Sequence, residues 1–189
     1  MPTYAFIIAF SCTFLKMLPG RACITVTLVT FGLTAMIPVI AIYLLHIARI
    51  IKDPLLNNRH DRLFPYIISM LCYLATSLYL HFVHAPSWMM AFMIGGASLL
   101  AIIMLINIRW KISGHAAGMG ALTALSVFLV YKGYSIIPGP WLPSIIILLS
   151  GIVGTARMVL GRHTLTQVAA GYSLSILVLY ITLIVSGTL

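Results

Sequence analysis

Six apolar runs dominate this chain, and each is close to the length that carries an α-helix across a bilayer. Such a helix needs about 20 mostly apolar residues, because nothing in the hydrocarbon core can take up unpaired backbone groups. The runs are Cys23–Ala48, Phe64–Phe82, Ser87–Ile108, His115–Tyr131, Pro143–Leu160 and Thr164–Val185. Pro38 lacks the N–H that a helix ladder needs, so a bend is expected near it. Ser87, after the turn His84-Ala85-Pro86, is expected to cap the third run. Between Lys132 and Trp141 the glycines, prolines and aromatics predict an interfacial loop. Tyr4–Leu18 is apolar but shorter, which leaves a seventh span, a re-entrant piece or an interfacial helix open. No basic segment precedes it, so a cleaved signal peptide is not expected. The expected fold is an all-α, polytopic membrane bundle of six or seven spans, with residues 1–189 as one domain and no internal repeat.

Charge narrows the function. Charged residues make up 7% of the chain and hydrophobic ones 62%, whereas a soluble domain carries about a quarter charged residues. Asp53 and Asp61 are the two acids, and the net charge of +9 reflects that scarcity. Both are expected to pair with neighbouring bases. No basic cluster stands with an aromatic platform, so a nucleic-acid partner is excluded. Cys12, Cys23 and Cys72 lie in apolar stretches without a paired-cysteine motif and read as small buried hydrophobes. Two acids in one loop cannot build a carboxylate-ligated metal site on other loops. That argues against aspartate-rich prenyl or alcohol phosphotransferases and against pumps that run on buried carboxylates. No metal and no cofactor are expected.

The polar residues fall on one side. Six alternating spans put Arg49–Leu63, Arg109–Gly114 and Gly161–His163 on one membrane face. Eight of the eleven Lys and Arg residues lie there: Arg49, Lys52, Arg59, Arg62, Arg109, Lys111, Arg157 and Arg162. Lys16, Arg21 and Lys132 belong to the other face. Two readings stand together. One is the excess of positive charge on cytoplasmic loops. The other is an anion site assembled from three connections.

Particular residues favour chemistry. Lys111-Ile112-Ser113-Gly114-His115 leads straight into an apolar run. Ser113 is a good N-cap, and Gly114 leaves its amide uncovered, so the helix start offers N–H groups and positive charge to a phosphate. The plain alternative is a capped helix with Gly114 and Gly118 as a close-packing face. Arg157 sits in the last turns of another apolar run, where a guanidinium needs an anion and the chain has few to offer. A ligand phosphate matches its fork. His163 and Gln167 are four apart and share a helix face, so Gln167 can hold one ring nitrogen while the other attacks. For a lone histidine the alternative is an interfacial cap. Lys52, Arg59 and Arg62 supply further bases, or simply a solvated positive loop. His46 lies near a helix end, and His81 and His84, on the opposite face from these stretches, read as interfacial.

These stretches, in this order and on one face, resemble the type 2 phosphatidic acid phosphatase family, over about residues 49–175. That family's pattern is Lys-x6-Arg-Pro, then Pro-Ser-Gly-His, then Ser-Arg-x5-His-x3-Asp. Lys52-x6-Arg59 resembles the first, with His60 in place of proline and Arg62 as an alternative second base. Ser113-Gly114-His115 resembles the second, with Ile112 in place of proline. Arg157-x5-His163 resembles the third, with Ala156 for serine and Gln167 for aspartate. His163-Thr164-x-x-Gln167-Val168, followed by Gly171, is similar to the dolichyl-diphosphatase branch.

The resemblance implies a membrane lipid phosphatase or diphosphatase that needs no metal. In this scheme His163 attacks phosphorus and His115 serves as acid and then base. Arg157, Lys52, Arg59, Arg62, Lys111, Ser113 and Gly114 hold the phosphoryl group, and Gln167 orients His163. It implies a lipid phosphate or diphosphate as partner, a polyprenyl diphosphate being favoured, with phosphatidic acid, phosphatidylglycerol phosphate and lipid A phosphates open. It also implies a bacterial inner (plasma) membrane. Outside enzymology, a non-catalytic lipid-binding or transport protein of the same fold stays open.

Overall fold

In the computed structural model, residues 2–51 and 63–186 are described. Helices α1 (Pro2–Cys12), α2 (Gly20–Phe31), α3 (Ile37–Ile47), α4 (Leu63–Phe82), α5 (Ser87–Asn107), α6 (Gly114–Tyr131), α7 (Trp141–Val159) and α8 (Leu165–Ser186) follow in order. A five-residue π turn, Gly32–Met36, joins α2 to α3 into one 28-residue span. That span and α4–α8 are six helices long and apolar enough to cross a membrane, among the described residues. The bundle is all-α, as the apolar runs predict.

The bend near Pro38 takes a specific form. Proline cannot donate to the carbonyl four residues back and its ring crowds that carbonyl. The turn before it opens to π spacing, with the Ile37 N–H donating to the Gly32 carbonyl. A widened turn of this kind is a common way to absorb a break in the ladder. At α5 the cap differs from expectation. Pro86 is the capping residue and Ser87 is already helical. The Ser87 hydroxyl donates instead to the Ser186 carbonyl at 3.5 Å, across to the end of α8.

The short N-terminal stretch is a half-length helix inside the bundle. Eleven residues of α1 rise about 16 Å, roughly half of a bilayer's hydrocarbon core. Its buried residues, Pro2, Ala5, Phe6 and Ala9, follow helical spacing. Ala5, Phe6 and Ala9 pack against Trp88, Met89 and Phe92 of α5 and Leu125 of α6. Its end is tied to the α6–α7 loop, where the Ile136 N–H donates to the Cys12 carbonyl at 2.8 Å. Tyr134 of that loop stacks edge-on against both Phe14 and Phe128. α1 therefore enters from the face opposite the connections before α6 and α8.

The core is the α6–α8 pair. Gly120 has the Ser175 hydroxyl and the Tyr172 carbonyl where a Cβ would stand, so the helices touch backbone to side chain there. Thr123 Oγ1 and the Tyr172 hydroxyl share a hydrogen bond of 3.1 Å. Lipid tails are as apolar as leucine, so close packing and such interhelical bonds, not hydrophobicity, hold membrane helices together. Close packing falls on Gly120 and Gly171. Gly114, expected as a packing glycine, has nothing within 4 Å of its missing Cβ.

Candidate active site

The connection between α7 and α8 explains the Arg157-x5-His163 spacing. α7 closes in a Schellman motif: the Arg162 N–H donates to the Arg157 carbonyl and the Gly161 N–H to the Met158 carbonyl. Gly161 has φ +63°, a conformation glycine adopts without strain. The chain reverses there and His163 arrives two residues before α8 begins, with Thr164 between them. α8 then starts with a capping box. The Gln167 N–H donates to Thr164 Oγ1 at 3.4 Å, and the Thr164 N–H donates to Gln167 Oε1 at 3.3 Å.

That capping box decides the state of the histidine. Thr164 N–H can only donate, so the Gln167 atom facing it is the amide oxygen. The same oxygen lies 3.1 Å from His163 Nδ1. It accepts there, so Nδ1 carries the proton and the lone pair of a neutral ring sits on Nε2. His163 is 8% exposed, which keeps the ring ordered. The helix cap and the ring contact thus share one acceptor, Gln167 Oε1.

The α6 start is bound directly to this segment. The Ser113 N–H donates to the Gln167 carbonyl at 3.2 Å. Ser113, fully buried, caps α6 by accepting from the Ala116 N–H at 3.3 Å. Gly171 makes the approach possible: a Cβ there would stand 2.6 Å from the Ser113 carbonyl oxygen. His115, exposed in the first turn of α6, and His163 therefore share one end of the bundle. Gly114 is exposed and uncrowded, leaving a first-turn amide open to an oxyanion. Two helix N-termini direct positive partial charge to this end, and Lys111 adds a full charge from the preceding linker.

Arg157 lies in the last turn of α7, on the same face. Its Nε is buried and has no hydrogen-bond partner among the described residues. A guanidinium so placed calls for an anion with several acceptor oxygens. Lys52, Arg59 and Arg62, the first basic stretch, lie outside the described residues, as do Asp53 and Asp61. Among the described residues no group of three His, Cys, Asp or Glu side chains is arranged to hold a metal ion. The capping role of Thr164 goes beyond its part in the family likeness, although Thr-x-x-Gln ahead of an apolar run is the signature of a capping box.

Residues 106–189 match the family model of the PAP2 superfamily. The matched stretch takes in Lys111, Ser113, Gly114, His115, Arg157, His163 and Gln167, and leaves out Lys52, Arg59 and Arg62. It supports that family and, with it, phosphatase-type activity in general. No curated protein and no solved structure matches the chain.

Proposed function

We propose that this integral membrane protein is a metal-independent lipid phosphatase or diphosphatase that works through a phosphohistidine on His163. The observation that carries the reading is the hydrogen bond from His163 Nδ1 to Gln167 Oε1. It leaves the Nε2 lone pair to form the N–P bond as the P–O bond to the leaving group breaks. His115, as imidazolium, gives its proton to the leaving oxygen. Neutral His115 then takes a proton from water, whose oxygen bonds phosphorus as the N–P bond breaks. Imidazole suits both steps because it titrates near neutrality. Arg157, Lys111 and the Gly114 amide hold the phosphoryl oxygens as their charge redistributes. Lys52, Arg59 and Arg62 are proposed to add to that set.

Gln167 stabilises the imidazolium less than an aspartate does, having no charge, but it fixes the tautomer equally well. A polyprenyl diphosphate is the favoured substrate, on the His163-Thr164-x-x-Gln167-Val168 likeness, in a bacterial inner membrane. The second reading is a non-catalytic lipid-binding or transport protein. Ile112, Ala156, His60 and Gln167, which stand where the family pattern differs, favour it. Phosphate release from polyprenyl diphosphate and phosphatidic acid, with EDTA present, separates the two. Release that is lost in His163→Asn supports the enzyme; no release from any lipid phosphate favours the second reading.

A further inference from the structure

α7 leans on α6 and approaches α8 closely at one point, Gly154, where a Cβ would stand 3.1 Å from Val168 Cγ1. Beside that point the two helices leave a groove of about 370 Å³. Ala116 of α6 forms its floor, Gly151, Thr155 and Met158 one wall, and Leu165 and Ala169 the other. One end lies at the same end of the bundle as the candidate site: Ala116 is in the first turn of α6, Met158 in the last turn of α7, and Leu165 begins α8. From Met158 the groove continues down α7 to Ile147, about 16 Å away. That carries it to about half the depth of the hydrocarbon core.

We infer that this groove takes the hydrocarbon chain of the lipid whose phosphate is read at His163, the chain entering sideways from the bilayer. The inference rests on the proposed lipid-phosphatase reading of the site. A furrow with apolar walls inside a bilayer fills with hydrocarbon. A chain that fills this one has its polar end at the same end of the bundle as the two histidines. The volume accommodates on the order of a dozen groups the size of a water or methylene, which is one chain and not two. This favours a single-chain lipid phosphate over a two-chained glycerolipid. Moving a chain from lipid to groove gains little, since both are apolar. The groove therefore acts on direction: it aligns phosphorus with His163 Nε2, where misplacement is costly.

Gly151 is the place to test this, because it lines the groove and nothing lies within 4 Å of its missing Cβ, so a side chain can start there without crowding. The probe is a hexadecyl phosphonate carrying a diazirine at mid-chain, irradiated with the full-length protein in micelles. Adducts are expected on α7 and α8 groove residues. They should be displaced by unlabelled hexadecyl phosphonate but not by butyl phosphonate, and reduced about tenfold in Gly151→Phe. The ratio of hexadecyl to butyl phosphate hydrolysis should fall by a similar factor, with Gly151→Ala intermediate and natively stable.

Adducts spread over α2 and α3, or unchanged in Gly151→Phe, overturn the inference. So does an unchanged chain-length ratio, or a Gly151→Phe protein whose sole change is loss of a dimer, which makes the groove a seat for a second copy. If the adducts map to the groove while no lipid phosphate is hydrolysed, the groove assignment stands and the phosphatase reading falls.

Discussion

The span α2–α3 and the helix α6 are both apolar, yet they meet opposite surroundings. Of the most apolar stretch of Gly20–Ile47, 11% is buried inside the protein; of α6, 67%. α6 is nevertheless the least apolar of the six long helices. In a soluble protein the order would be reversed. Here lipid solvates leucine and isoleucine as well as protein does, so hydrophobicity carries no preference for the interior. Small residues do: Gly120 of α6 and Gly171 of α8 let the two helices come close. The helix that carries His115 is thus the one most tightly gripped, and the grip is what brings it to His163.

The largest effect should come from the chemistry at that grip. His163→Asn should lower phosphate release by at least about a thousandfold, as loss of a nucleophile does, with phosphate release under EDTA as the measurement. An equivalent change on the lipid-facing span, Leu28→Ala, should leave the rate within a factor of about two. A comparable loss in both would erase the distinction between the two regions.

Gln167→Ala removes both the ring's acceptor and the capping-box return, so it should slow turnover by about a hundredfold and cost about 1 kcal/mol of stability. Gln167→Glu keeps both bonds and has the same reach. It should retain most of the rate, the added charge favouring the imidazolium. If Gln167→Ala turned over like wild type, His163 would have to be oriented by another group.

Packing effects come next. Gly171→Ala drives a methyl into the Ser113 carbonyl and should destabilise by about 1–3 kcal/mol, read as a fall in Tm in detergent, together with a loss of rate. Gly32→Ala, where nothing lies within 4 Å, should be neutral or stabilising by up to about 1 kcal/mol. Equal shifts at the two glycines would mean that α6–α8 contact does not set stability.

Much of this arrangement is legible in the residues. Run lengths locate the six spans to within a few residues, since backbone groups in hydrocarbon leave a helix no shorter alternative. Ser113 as a cap follows from its place before an apolar run; the His163–Gln167 pair also forms, although not on one helix face, because His163 precedes α8 and Gln167 reaches it by folding back over the cap. The capping box at Thr164 was equally readable. Other features were not. Gly114 and Gly120 are alike on paper, and only the approach of Tyr172 and Ser175 makes the second a packing residue. The depth of α1 was open for a similar reason: an apolar stretch too short to span suits the interface and the interior equally.

What the sequence determined by itself is the solvent and where the polar residues gather: a chain that lives in lipid, with Lys111, His115, Arg157 and His163 at one end of the spans. What only the tertiary structure decided is which apolar surfaces touch protein. Buried α6, lipid-facing α2–α3, the half-length α1 and the groove between α7 and α8 all follow from shape matching between helices. Hydropathy is blind to that choice, because in a bilayer either side of an apolar helix is at home against lipid. Small side chains and a few hydrogen bonds, such as Ser113 to Gln167, select the faces that meet.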